Sequence, residues 1–487
     1  MKKLFSLLAV VAMVFAMTLS VNAATVSVDG ELDGHTFKYY QILTGTQVAG
    51  DPSLGTPAWG LGIDSNAFLT EVKANVDGFA DVSDAATFVT ELAKSADDSK
   101  IANQVAKIAY KHKVGDGTEI TAGTVTIAAG YYLIVDTTAD LEEGDAKNAA
   151  LLQVTEKDNI VIGNKTSKPT IDKTVNGKKS DDAYIGEKLV MELVATIPNM
   201  QHYDSYEITI EDTPEVNAFD GMSSEPEFKI VGTGVNGNEV EVVDFDYSMN
   251  TVDENFFITI SDLKSIAVDN GIDVSKEVSV IVTYETCLFA QADIGNDGNV
   301  NKVKLTYPSD PVSDETNETI EKEVYVFTYQ LEGTKVDGTD NTKKLSGAEF
   351  VLKNSEGKYY KDTLGTISYV VNEDDATVMT SDENGIFTFK GIDQGTYTLV
   401  ELTPPVGYNK APDQTVVISA ELSDTAITSL TNGTLDDGKV SINVLNYKGA
   451  TLPETGGMGT TMLYIVGAIL VVGAGVVLVS KKRMAKK

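Results

Sequence analysis

Apolar and polar residues alternate with period two through most of the chain, and in a few stretches the period changes to 3.6. Between residues 25 and 163 the strand-like runs are Thr25–Val28, Phe37–Ile42, Thr124–Ile127 and Tyr131–Val135. A helical insertion interrupts them. Ala85, Phe88 and Leu92 recur at helical spacing behind a candidate cap at Ser83, and Ile101, Val105 and Ile108 repeat the pattern. From Pro169 to about Pro311 the alternation is cleaner, as in Tyr206-Ile208-Ile210 and Val303-Leu305-Tyr307, with Gly, Asn and Asp marking the turns. The acidic run Ser309–Glu323 reads as a connector, and a further strand series extends from Val324 to Tyr447. The expected architecture is mainly β: tandem immunoglobulin-like sandwiches in an elongated rod, the first with a helical insertion. The expected units are residues 25–163, 164–312 and 324–450.

The two ends depart from this pattern. Lys2 and Lys3, an apolar run from Leu4 to about Leu19, and small residues at Val21-Asn22-Ala23-Ala24 make a secretory signal peptide over 1–24. Met462–Ser480 is uncharged and long enough, as a helix, to cross a hydrocarbon layer of about 30 Å. The closing KKRMAKK is the basic stop expected on the cytoplasmic side. Just ahead of the span stands Leu452-Pro453-Glu454-Thr455-Gly456. This pentapeptide, span and basic tail together, over 452–487, resemble the cell-wall sorting signal of Gram-positive surface proteins. The resemblance implies a sortase that cuts between Thr455 and Gly456, passes the threonine acyl group to an amine, and leaves the span behind.

Charge narrows the choice of partners. Lys and Arg total 38 against 72 Asp and Glu, and the sole arginine is Arg483. Nucleic acid is excluded as a partner, because phosphate neutralisation needs clustered cations. Only three histidines are present, His35, His112 and His202, none beside a Ser or Cys nucleophile pattern, so a hydrolase reading is poorly supplied and no metal or cofactor is implied. DIGNDGN (293–299) lacks the full spacing of a calcium loop and reads as a turn. One cysteine, Cys287, allows no intrachain disulfide, and its apolar surroundings read as a core position.

A secreted sandwich without disulfides needs another source of durability, and strand parity supplies a candidate. Lys173 shares its face with Ile171 and Val175, Asp212 with Tyr206, Ile208 and Ile210, and Asn301 with Val303, Leu305 and Tyr307. A second set repeats the pattern: Lys335 follows Tyr329 and Leu331, Glu401 follows Tyr397 and Leu399, and Asn446 follows Ile442 and Val444. Burial disfavours the charged forms of amine and acid. A neutral amine is a nucleophile and a carboxylic acid can polarise the asparagine amide, so the expected product is a Lys–Asn isopeptide bond with loss of ammonia.

Longer motifs carry a broader resemblance. TKVDGTDNTKKLSGAEFVLKN (334–354), YTLVELTPPVGYN (397–409) and VLNYKG before LPETG are similar to the collagen-adhesin B-type, or pilin-type, domain. PTIDKTV (169–175), YEITIEDTPE (206–215) and NKVKLTYPSDP (301–311) are similar to the central domain of major pilins, and FKYYQILTG (37–45) and AGYYLIVD (129–136) to their first domain. The chain thus resembles a major (backbone) pilin of sortase-assembled pili. That resemblance implies cross-links Lys173–Asn301 and Lys335–Asn446, catalysed by Asp212 and Glu401. It also implies a single-turnover autocatalysis rather than an enzyme, and attachment to peptidoglycan. In the first unit Lys38 and Asp136 are candidates for a further bond, left undecided. The family's acceptor lysine aligns with Lys165 in IVIGNKTSKPT (160–170), with Lys168 as runner-up, because Gly163-Asn164 replaces the usual Tyr-Pro. The implied partners are a sortase, neighbouring copies of the chain and ancillary pilins. The alternative is a wall-anchored adhesin or minor pilin that never polymerises.

Overall fold

The structure, a computed structural model, describes residues 23–29, 34–48, 51–94, 99–154, 159–163 and 168–449. The signal peptide up to Asn22, Lys165, the LPETG motif and the apolar span 462–480 lie outside the described residues. Among the described residues strands take 49% and helices 11%, which makes the fold mainly β.

All four strand-like runs of the first segment fall within strands. Ala23–Asp29 is the centre of a three-stranded sheet, antiparallel to Thr124–Ala128 and parallel to Asn159–Gly163. Phe37–Val48 and Gly130–Asp136 form the middle of a second sheet. The insertion holds three helices, α1 (Ser65–Asn75), α2 (Ala85–Lys94) and α3 (Ser99–Lys111). α1 was not legible in the periodicity, since it buries only Phe68 and Val72. The Phe68 ring and Phe88 of α2 meet Trp59 of the sheet, with Phe68 and Phe88 centroids 5.4 Å apart. The cap of α2 is Asp84, not Ser83: the Asp84 carboxylate accepts from the Thr87 backbone N–H at 2.8 Å, whereas Ser83 points no side-chain oxygen at that turn.

The middle sandwich is built from two sheets. One contains β1 (Thr170–Val175), β2 (Lys188–Ile197) and β4 (Val278–Cys287), with β2 central and antiparallel to both neighbours. The other contains β3 (Ile208–Pro214), β5 (Asn299–Pro308) and β6 (Lys322–Phe327). Asn176 and Gly177 follow β1 with φ of +50° and +75°, the left-handed pair that a tight hairpin turn needs, and Lys178 bridges back to Val175. In β2 to β5 buried residues alternate without a break with half-exposed or exposed ones. Each inward Val, Leu or Ile contributes about 1.5–3 kcal/mol by leaving water.

The segment between the sandwiches differs from its expected course. Thr316–Glu318 pairs with the end of β5, and β6 pairs with the rest of it, so residues 316–327 complete the middle sheet instead of serving as a connector. The last sandwich therefore begins at Tyr329. Its site is carried by β7 (Tyr329–Asp337), β8 (Gly395–Thr403) and β9 (Lys439–Asn446). β7 and β9, the first and last strands, lie side by side in parallel, while β8 belongs to the facing sheet.

Neighbouring units touch through specific contacts. The Asn103 amide of α3 donates to the carbonyls of Gln201 and Tyr203 at 2.7 and 2.8 Å, and the Tyr307 hydroxyl donates to the Asp145 carbonyl at 2.9 Å. The middle and last sandwiches share one continuous buried cluster, sealed by Gln394 donating to the Asp182 carboxylate at 2.7 Å.

Candidate functional site

Strand parity brings Lys173, Asp212 and Asn301 to one point in the middle core. Lys173 is fully buried, as is Asp212, and Asn301 is 1% exposed. Asp212 and Asn301 are diagonal neighbours on one sheet, because Asp212 pairs with Val303 and Pro214 with Asn301. Lys173 reaches them from the opposite sheet. Its Nζ lies 2.7 Å from Asp212 Oδ1 and 2.6 Å from Asn301 Oδ1. Burial pushes the Lys173 amine down to about 8, against the opposing pull of Asp212.

The last sandwich assembles the same three groups with a different division between sheets. Lys335 and Asn446 are diagonal on the parallel pair β7–β9, where Lys335 faces Val444 and Asp337 faces Asn446. Glu401 comes across the core from β8. Lys335 Nζ is 3.0 Å from Glu401 Oε1 and also contacts Asn446 Oδ1. The Asn446 Nδ2 donates to Glu401 Oε1 and Oε2 at 3.0 and 3.1 Å, and the Ala411 backbone N–H holds Oε2 at 2.5 Å. Burial again pushes the lysine amine down.

Both sites place a lysine nitrogen in contact with the oxygen of an asparagine amide, so its carbon is within reach for attack. In both, an acid touches the amine. An amine and a carboxylate sealed in a hydrophobic interior are costly as separate charges, which favours the neutral pair.

The first unit does not repeat this arrangement. Asp136 is buried, but it is engaged by His35 Nδ1 at 2.5 Å and by the Thr138 hydroxyl and N–H at 2.6 and 3.0 Å. Lys38 lies half-buried on the adjacent strand, paired in register with Val135 and Glu119. Lys38 and Asp136 are therefore not brought together. His35 was not singled out in the sequence, and its other ring nitrogen faces Asp145 at 3.3 Å. Cys287 is half-exposed on the outward face of β4, not in the core, with its sulfur 4.0 Å from Asp220. Lys168 is exposed, its Nζ 3.4 Å from Asp145 Oδ2.

One participant escaped the sequence reading. Tyr284 closes the inward stripe Val278, Val280, Val282 on β4, and its hydroxyl donates to Asp212 Oδ2 at 2.8 Å and accepts from Asn301 Nδ2 at 3.1 Å. Its inward parity was readable, but its partners were not.

Comparison with known proteins agrees with this architecture. Residues 329–434 match the family model of the SpaA prealbumin-like fold domain, and residues 445–486 match that of the LPXTG cell wall anchor motif. The T6 backbone pilin of serotype M6 Streptococcus pyogenes superposes with a TM-score of 0.55 at 16% identity, over 88% of this chain and 99% of that one. The chain is a cell-wall-anchored surface protein with the fold of a backbone pilin. In sequence, the trypsin-resistant surface T6 protein of Streptococcus pyogenes is 22% identical over 297 residues, 45% of this chain and 52% of that protein. The serine-aspartate repeat-containing protein F of Staphylococcus epidermidis is 32% identical over 159 residues, 30% of this chain. The chain spans 8% of the length of the latter and about half of the former.

Proposed function

We propose that this chain is the shaft subunit of a covalent surface pilus, stiffened inside by two Lys–Asn amide bonds and joined between copies by a sortase. The observation that carries the reading is the convergence of lysine, asparagine and acid at two buried sites in successive sandwiches. Its three units are 25–163, 164–327 and 329–450.

In each site the lysine and the acid share one proton. With that proton on the carboxyl, the neutral Nζ attacks the asparagine Cγ, the acid protonates and polarises the amide, and ammonia leaves. The acid is regenerated, so each site turns over once. The bonds would close loops of 128 and 111 residues. Such closure restricts the unfolded chain, and it places a covalent tie between strands near the two ends of each sandwich, where a pulling force would otherwise peel them apart.

Between copies, the sorting signal at 452–456 supports transfer of the Thr455 acyl group to a lysine of the neighbouring subunit. Lys165 is the acceptor we favour; exposed Lys168, three residues on, is the alternative. A wall-anchored protein that never polymerises would share the anchor but not the acceptor. Immunoblots of wall extracts separate the two. Wild type gives a ladder resistant to boiling, Lys165→Ala collapses it to one band, and a ladder that survives both Lys165→Ala and Lys168→Ala contradicts the assignment.

A further inference from the structure

The two trios differ in one respect that the shared chemistry does not explain. In the last sandwich the Glu401 carboxylate spans the site by itself, touching both the Lys335 amine and the Asn446 Nδ2 that must leave. In the middle sandwich the acid is Asp212, one methylene shorter. Its Oδ1 meets the Lys173 amine, but its Oδ2 meets the Tyr284 hydroxyl, and it is Tyr284 that contacts the Asn301 Nδ2. The aromatic ring beside the lysine in the last sandwich is Phe350, with Lys335 Nζ 5.5 Å from its centroid; in the middle sandwich it is Tyr284, with Lys173 Nζ 6.0 Å away. A long acid is thus paired with a ring that has no hydroxyl, and a short acid with a ring that has one.

We propose that Tyr284 is a catalytic residue of the middle bond, relaying the acid's proton to the departing asparagine nitrogen across the gap that Asp212 is too short to close. This rests on the Lys173–Asn301 bond assigned above. The step balances as follows. Lys173 Nζ forms the new bond to Asn301 Cγ and gives a proton to Asp212 Oδ1. With the proton on Asp212 Oδ2 the hydroxyl turns from donating to that oxygen to facing Asn301 Nδ2; Asp212 then passes this proton to the Tyr284 oxygen, and the Tyr284 hydroxyl proton moves to Asn301 Nδ2. The Cγ–Nδ2 bond breaks, ammonia leaves, and Asp212 and Tyr284 are each left with one proton, as at the start. Complete burial raises the Tyr284 phenol well above its ordinary value, which suits a neutral carrier that never rests as a phenolate.

The test follows ammonia loss by intact mass in mature chains released from cell-free translation. Wild type loses two ammonias. Tyr284→Phe is expected to lose one promptly, from Lys335–Asn446, and the second about a hundredfold more slowly. Asp212→Glu in the Tyr284→Phe background reproduces the Glu and Phe pairing of the last sandwich and should restore the fast second loss. That rescue also answers the case in which the single variant folds poorly, because packing alone gains nothing from the longer acid. Two ammonias lost at the wild-type rate by Tyr284→Phe would overturn the relay and leave the bond assignment standing, as would a double variant no faster than the single. A wild-type chain that keeps the Lys173 and Asn301 nitrogens separate would overturn both.

Discussion

Replacing Glu401 by Gln perturbs the last sandwich with almost no change of shape. The side chain keeps its length, and its carbonyl oxygen can still accept from the Ala411 N–H, but it no longer has a proton to give the Asn446 amide. The Lys335–Asn446 bond should not form. The cost follows from the loop that the bond closes, 111 residues in sequence, for which chain entropy gives about 5 kcal/mol at 25 °C. For a unit of this size that corresponds to a fall of about 20 °C in the Tm of the last sandwich. The middle sandwich keeps its own bond, so calorimetry should show the transition of the last unit moving and that of the middle unit staying. Trypsin should cut the last unit first. If Glu401→Gln loses as many ammonias as wild type and its transitions are unchanged, the acid has no part in the chemistry. If its mass rises by one ammonia and neither transition moves, closure of the loop does not stabilise the fold.

Other consequences are open to direct measurement. Asn301→Ala leaves the Lys173 amine free and buried; since that amine, at about 8, has released a proton which the unfolded chain holds until about 10.5, raising the pH from 8 to 10.5 should stabilise this variant by up to about 3 kcal/mol in urea unfolding, whereas bonded wild type has no such slope. A flat profile for the variant would mean that the amine is not sealed as described. Asp84→Ala removes the cap of α2 and should lower the stability of the first unit measurably, with Ser83→Ala near neutral; equal losses would return the cap to Ser83.

Strand alternation and the family resemblance together located both trios; alternation contributes because a charged residue in phase with Ile, Val and Tyr on a half-buried strand has few places to point other than the core. Parity could not say which sheet each strand joins. That is why the middle acid shares a sheet with its asparagine while the last acid faces its asparagine across the core, a difference no period reveals. The same limit hid β6: Val324 and Val326 alternate as well for either sandwich, and only pairing with β5 assigns them. Asp136 had the right parity in the first unit, but His35, two residues before the strand Phe37–Val48 and outside any periodic pattern, occupies it. Tyr284 was one more inward aromatic at the end of a valine stripe. Its hydroxyl acquires a role only when Asp212 and Asn301, remote in sequence, are placed on either side of it.

Fragmentation of proteolytic peptides from the mature wild-type chain tests the central claim most directly. The account predicts two branched peptides, one joining the segments around Lys173 and Asn301 and one joining those around Lys335 and Asn446, each lighter than the sum of its parts by one ammonia. Recovery of these four segments only as separate linear peptides of unaltered mass would contradict it.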